Sequence, residues 1–215
     1  MLSACAAPGL DRPGAAPDAE LFTLLRDPPV VRIALGDQAG NAVVLPGDRL
    51  GSVRHVFDGA ESRTMKVDGH DSGFSRLEQG AGGPAGDWIL LALDRPELLA
   101  RHQVLPRAGE VRPDQELVIV GYLPIAPDAG REDLRELVAF RGRIVAAPWP
   151  LQDATRGALC FELDEELADF HGLSGSPACV REQGEWRLCG VYSSRVTCWP
   201  WAEVGVITPL PHAAP

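Results

Sequence analysis

The chain has 215 residues, with 20 Lys and Arg against 30 Asp and Glu, a formal net charge of -10 and five Cys. The acidic balance repels a phosphate backbone and argues against nucleic acid as a partner. The longest apolar runs, such as residues 88–93, fall far short of the roughly 18 to 20 residues that span a bilayer. With 45% hydrophobic and 23% charged residues the composition is that of a globular chain, large enough for one large or two small domains.

Residues 1–19 consist mostly of Ala, Pro and Gly and lack the bulky side chains that order a segment, which is the composition of a flexible leader. Within it, Leu2-Ser3-Ala4-Cys5 is similar to the lipobox of bacterial lipoproteins, without the basic and apolar segments that precede one. On that reading Cys5 carries a lipid anchor, the only route to a membrane, and the protein belongs to the bacterial periplasm or cell envelope. The alternative is a dispensable tail with an unpaired thiol. In an oxidising compartment Cys160, Cys179, Cys189 and Cys198 allow up to two disulfides in three pairings; otherwise they are buried thiols in strands. No C-x2-C or H-x3-H spacing is present, so neither a metal nor a cofactor is expected.

From residue 30 onward, short apolar and β-branched runs alternate with Gly, Pro, Asn and Asp. Strands are expected at 30–35, 42–45, 50–53, 64–67, 74–78, 88–93, 116–122, 138–146, 158–163, 177–181, 186–192 and 204–208. Helical patterning is confined to 96–101 and 133–137, and the strand-helix rhythm of a parallel α/β sheet is missing. The many short strands favour barrels or sandwiches. Residues 103–115, with two Pro, a Gly and several charges, form the best boundary, dividing an N-terminal unit (20–108) from a C-terminal one (109–215). No internal repeat is visible.

The most informative stretch is Gly172-Leu173-Ser174-Gly175-Ser176-Pro177, ahead of the strand-like Ala178-Cys179-Val180. Small residues around a Ser permit a tight turn that exposes its hydroxyl and gathers successive N–H groups into one concavity, as an oxyanion hole requires. The stretch resembles the G-x-S-G-G/S-P motif of the chymotrypsin/trypsin-like serine peptidases, with the GSP ending found in bacterial members. The resemblance extends over about residues 25 to 210. It implies an all-β fold of two six-stranded antiparallel barrels with the active site between them. It also requires a His and then an Asp upstream. Gly51-Ser52-Val53-Arg54-His55-Val56-Phe57 supplies the His after a strand, and Asp87-Trp88-Ile89-Leu90-Leu91 matches the family's D-I/W-x-L-L.

The resemblance thus implies a protein or peptide substrate and a triad of His55, Asp87 and Ser174. The backbone N–H groups of Gly172 and Ser174 would form the oxyanion hole. For substrate binding it points to Ala168 at the pocket floor, to His171, to Tyr192, Ser193 and Ser194 on the strand beside the substrate, and to Gly205. Ser193 matches the Ser that commonly bonds the triad Asp. Several positions depart from the pattern. Arg54 replaces the usual Ala and would have to point away from the cleft. Val56 replaces a disulfide Cys. Leu173 stands where trypsin-like zymogens place a carboxylate to capture a new N-terminus, so activation by that ion pair is ruled out. Ala168 does not support cleavage after Arg or Lys, and Tyr192 does not support preference for Glu. His70, His102 and His212 have no comparable context and are expected at the surface.

Two other classes compete with this resemblance. An α/β-hydrolase needs Gly two residues after the Ser, where Ser176 stands, and the order Ser, acid, His. A catalytically silent trypsin-like fold that binds protein or peptide without cutting it is the alternative to an endopeptidase.

Overall fold

A computed structural model describes residues 19–60, 62–124, 135–149, 151–164, 172–198 and 202–211. Among these residues lie twelve strands, each overlapping one of the twelve expected and several of them longer. In the first half, β1 (Val30–Leu35), β2 (Gln38–Leu45), β3 (Arg49–Ser52), β4 (Thr64–Val67), β5 (His70–Gln79) and β6 (Ile89–Leu93) close into a barrel in the order β1-β2-β3-β6-β5-β4. In the second half, β7 (Glu116–Pro124), β8 (Arg135–Val145), β9 (Leu159–Leu163), β10 (Pro177–Glu182), β11 (Glu185–Cys198) and β12 (Ala202–Thr208) close in the order β7-β8-β9-β12-β11-β10. The two barrels therefore repeat one strand order, although no repeat is visible in the residues. Closure leaves neither sheet with an open edge.

Period-two alternation decides which side chains fill each barrel. On β7, Leu117 and Ile119 face the interior of the second barrel with Ile144, Phe161, Val180 and Ile207. The intervening Val118 and Val120 turn outward and join the cluster that fills the first barrel, together with Cys179, Leu188, Val191 and Leu210. The barrels thus share a continuous apolar interface. The connecting segment runs along β11, where Ala108 N–H donates to Leu188 O and Leu188 N–H donates to Pro106 O, both at 2.9 Å.

Three expectations need correction. Of residues 133–137, expected to be helical, the described residues 135–137 instead open β8, where Arg135 pairs with Pro124 and Leu137 with Tyr122. Ladder pairing across a closing barrel outweighs a weak local propensity. A helix, α1 (Ala19–Arg26), follows directly on the expected leader and buries Leu21 and Leu24 against the first barrel's core. The spacing of Leu21, Leu24 and Leu25 was its sequence signal. His102, expected at the surface, has a side chain only 2% exposed, with Nε2 3.0 Å from the Asp68 carboxylate and Nδ1 3.1 Å from Pro28 O. The polar context of Asp68 and a backbone carbonyl allows an imidazole to be buried there.

Cys160, Cys179 and Cys189 are buried free thiols, and the side chain of Cys198 lies outside the described residues. Burial pushes the Cys189 thiol up to about 12 and Cys179 up as well, so both stay protonated and behave as small apolar core residues. Among the described residues no helix is long and apolar enough to cross a membrane.

Candidate active site

His55 stands on a single 3-10 turn (Arg54–Phe57) directly after β3. Val56 and Phe57 are buried and anchor the turn, which leaves Arg54 and His55 on the open side. Asp87 grips this turn by backbone and ring together. The His55 N–H donates to Asp87 Oδ1 at 3.0 Å, and His55 Nδ1 lies 2.7 Å from Oδ2. A carboxylate at Nδ1 selects the tautomer with its proton there, which leaves the Nε2 lone pair free to accept. That nitrogen lies 3.1 Å from Ser174 Oγ. The three expected residues therefore converge, His55 and Asp87 from the first barrel and Ser174 from the second.

Asp87 has a further partner. The register of β11 on β12 shifts between Tyr192 and Ser194, and such a bulge turns a residue out of its ladder position. Here that residue is Ser193, whose Oγ donates to Asp87 Oδ2 at 2.6 Å. Burial alone pushes the Asp87 carboxyl up, but the bonds from the His55 ring, Ser193 and the His55 amide outweigh it and hold the group below its ordinary value.

The loop that carries Ser174 is held by its carbonyls. Gly172 O accepts from Asn41 Nδ2 at 2.6 Å, Leu173 O from Ser176 N–H at 2.9 Å, and Ser174 O from Asn41 N–H at 2.8 Å. Gly175 sits at φ +84, and a Cβ there would fall 2.0 Å from Asn41 O, so only glycine lets the loop lie this close to β2. The N–H groups of Gly172 and Ser174 have no partner among the described residues. Leu173 is fully buried in the core of the second barrel.

No family model matches the chain, and no curated protein matches it. Solved structures do. The Rv3671c protease of M. tuberculosis in its active form is 20% identical with a TM-score of 0.58, over 97% of this chain and 89% of that one. Neuropsin, a serine protease of mouse brain, is 15% identical with a TM-score of 0.62, over 86% and 90%. The HtrA-type protease AlgW, solved with a decapeptide, is 17% identical with a TM-score of 0.58, over 90% of this chain and 64% of its own. The fold is that of the trypsin-like serine proteases.

Within that trypsin-like fold, a cavity of about 380 Å³ opens beside His55. It is lined by His55, Asp87, Ser193 and Ser194 together with Arg54, Asp58 and the glycine-rich loop 81–84. Ser193 and Ser194, expected on the strand beside the substrate, line this cavity. Arg54 does not point away as expected. Its Nε donates to Asp58 at 3.1 Å and its Nη1 to Gly80 O at 3.2 Å, which lays the guanidinium along the cavity wall and braces the loop ahead of Asp87. From the second barrel, the buried Thr208 hydroxyl donates to Pro84 O on the same loop.

The Tyr192 side chain does not line the cavity. It is buried edge-to-face on Phe161 inside the second barrel, with ring centroids 6.0 Å apart. Its backbone serves the site instead, accepting from Gly175 N–H and donating to Ser176 O, each at 2.8 Å. Gly205 pairs with Phe161 across β12 and β9, and the Phe161 ring covers the position of its missing Cβ. Ala168, His171 and Cys5 lie outside the described residues. Sequence reasoning missed Asn41, whose signal was a polar residue inside the apolar run of β2.

Proposed function

We propose that the protein is a serine endopeptidase that hydrolyses peptide bonds through an acyl-enzyme. The observation that carries this reading is the continuous hydrogen-bond chain from Ser193 through Asp87 and His55 to Ser174, assembled across two barrels. A Ser hydroxyl is a weak nucleophile, so His55 Nε2 takes its proton as Ser174 Oγ bonds to the scissile carbonyl carbon. Asp87, held ionised, stabilises the imidazolium that forms. The oxygen that gains charge is received by the N–H groups of Gly172 and Ser174. His55 then gives its proton to the leaving amine as the C–N bond breaks. A water molecule, deprotonated by the same nitrogen, cleaves the acyl ester, and the proton returns to Ser174.

Peptide as substrate draws on the open cavity along Ser193 and Ser194 and on the decapeptide in the AlgW structure. The same reading divides the chain into an N-terminal barrel unit (20–108) carrying His55 and Asp87 and a C-terminal unit (109–215) carrying Ser174. It also keeps Ala168 and His171 at the substrate pocket; independently, the lipobox-like residues 2–5 make Cys5 an acyl anchor in the cell envelope, which intact mass of the native protein checks. A fluorophosphonate probe tests the chemistry: the purified protein should be labelled and Ser174→Ala should not. A pure, folded protein that stays unlabelled rejects the endopeptidase in favour of a silent binding module.

A further inference from the structure

We propose that Asn41 is the positioning residue that holds the oxyanion-binding loop in its working shape, a role built on the peptidase reading above. Asn41 lies on β2 of the first barrel and is completely buried. Burying a primary amide is unfavourable unless both of its ends are bonded. Here both ends are bonded, and every side-chain partner belongs to the second barrel. Oδ1 accepts from Tyr122 N–H at 2.9 Å, and Nδ2 donates to Gly172 O at 2.6 Å and more weakly to Tyr122 O at 3.4 Å. One donor faces the oxygen and two acceptors face the nitrogen, so the amide fits in one orientation only.

What this accomplishes follows from the geometry of a trans peptide, whose C=O and N–H point in opposite directions. The peptide plane 172–173 lies between the plane that carries the Gly172 N–H and the plane 173–174 that carries the Ser174 N–H. The intervening plane carries Gly172 O, pinned by Asn41, and the next carries Leu173 O, pinned by Ser176 N–H, which turns the Ser174 N–H the opposite way. Gly172 sits at φ +94, a residue whose torsions meet little steric resistance. It is the joint at which the loop would turn over if its carbonyl were released. Leu173 cannot replace this bond, because its apolar side chain offers no ion pair and is spent in the core. Asn41 is also tied to the histidine side of the site. Its own N–H holds Ser174 O at 2.8 Å, and its carbonyl accepts from Ser52 Oγ at 2.7 Å on the strand leading to His55.

The test uses the full chain with Asn41→Ala and Asn41→Asp, read by phosphonylation rate, peptide kcat and KM, and deuterium uptake. Asn41→Ala should lower kcat and phosphonylation about a hundredfold, the effect of losing one oxyanion donor, with KM within threefold. Uptake should rise in the peptide covering residues 172–176 and stay unchanged in β3 and β6. Asn41→Asp keeps the acceptor for Tyr122 N–H but donates to Gly172 O only when protonated. Its deficit relative to the unaltered protein should therefore widen as pH rises, a dependence that a mere packing role does not produce. Folded variants with unaltered rates overturn the proposal, as does a deficit that is flat with pH and accompanied by loosening throughout both barrels. If the unaltered protein resists the phosphonate, the peptidase reading falls. Uptake alone then decides the role of Asn41: loosening confined to residues 172–176 upholds it, and unchanged uptake overturns it.

Discussion

The two barrels share a strand order but contribute to the site in different ways. The first presents side chains on short, braced elements: His55 on a one-turn helix and Asp87 at the foot of a loop, each gripping the other's segment. The second presents backbone, a loop whose carbonyls at Gly172, Leu173 and Ser174 are tied inward, while the N–H groups of Gly172 and Ser174 have no partner among the described residues. The difference is one of energetics. A side-chain pair is specified by two residue identities, whereas an array of amides has to be held by bonds that come from elsewhere in the fold, here from β2 of the opposite barrel. Replacing a first-barrel residue should therefore break a chemical step, and releasing the second-barrel loop should weaken transition-state binding while leaving substrate affinity nearly intact.

The largest effect expected is from Ser174→Ala, which removes the nucleophile itself. Turnover should fall by about a millionfold, as nucleophile loss does in a serine peptidase of another fold, while the peptide still binds; titration calorimetry against an uncleaved peptide separates the two. Asp87→Asn comes next. It preserves shape but presents an N–H or a neutral oxygen to Nδ1, so the imidazolium loses its counter-charge, and kcat should drop about ten-thousandfold at neutral pH. Activity of Asp87→Asn near that of the unaltered protein would mean that the first barrel's contribution is packing alone.

The side-chain half of the site was legible in the sequence for the same reason that it is sensitive to single substitutions. His55, Asp87 and Ser174 each carry a local motif, and turn residues between short apolar runs mark all twelve strands. Tertiary bonding was much less legible. Arg54 looked like a residue that had to leave the cleft, because nothing local shows that Asp58 and Gly80 O would hold it along the wall. Tyr192 looked like a pocket residue, and alternation on a bulged strand placed its ring in the core and its backbone at the site. The start of β8 and the burial of His102 were hidden likewise, since both depend on partners distant in sequence. Asn41 is the extreme case: its side chain makes no local bond, and each side-chain partner is at least 81 residues away.

Ser193 joins the two halves, reaching from the second barrel to the carboxylate of the first. Ser193→Ala removes one hydrogen bond to a charged acceptor, worth about 1.5 to 3 kcal/mol when buried. Water from the adjoining cavity can replace part of it, so kcat/KM should fall only about tenfold. The Asp87 carboxyl should move up, since Ser193 is among the bonds that hold it down. Its titration, followed by NMR, checks the sign directly.

The smallest effect concerns Asp68, in the first barrel and away from the cavity. It occupies the tight turn between β4 and β5 at φ +48 and is followed by Gly69 at φ +86, the backbone of a two-residue hairpin. Its side chain, 10% exposed, receives the Arg32 amide on Oδ1 at 2.8 Å and both Arg101 and His102 on Oδ2 at 2.8 and 3.0 Å. Burial pushes this carboxyl up, and the bonds from His102, Arg101 and the Arg32 amide bring it below its ordinary value. A carboxyl whose folded value is depressed contributes stability that is complete above its unfolded value and is lost as pH falls through the folded one. Thermal unfolding should accordingly show Tm dropping below about pH 4, near the ordinary carboxylate value. Asp68→Asn keeps an acceptor for the Arg32 amide but loses the charge, so it should cost about 1 kcal/mol at neutral pH and flatten the acid slope, with peptide turnover unchanged. An acid slope identical in the variant would shift that dependence to the other depressed carboxyls of the N-terminal unit, Asp87 at the site and Glu97 at the surface.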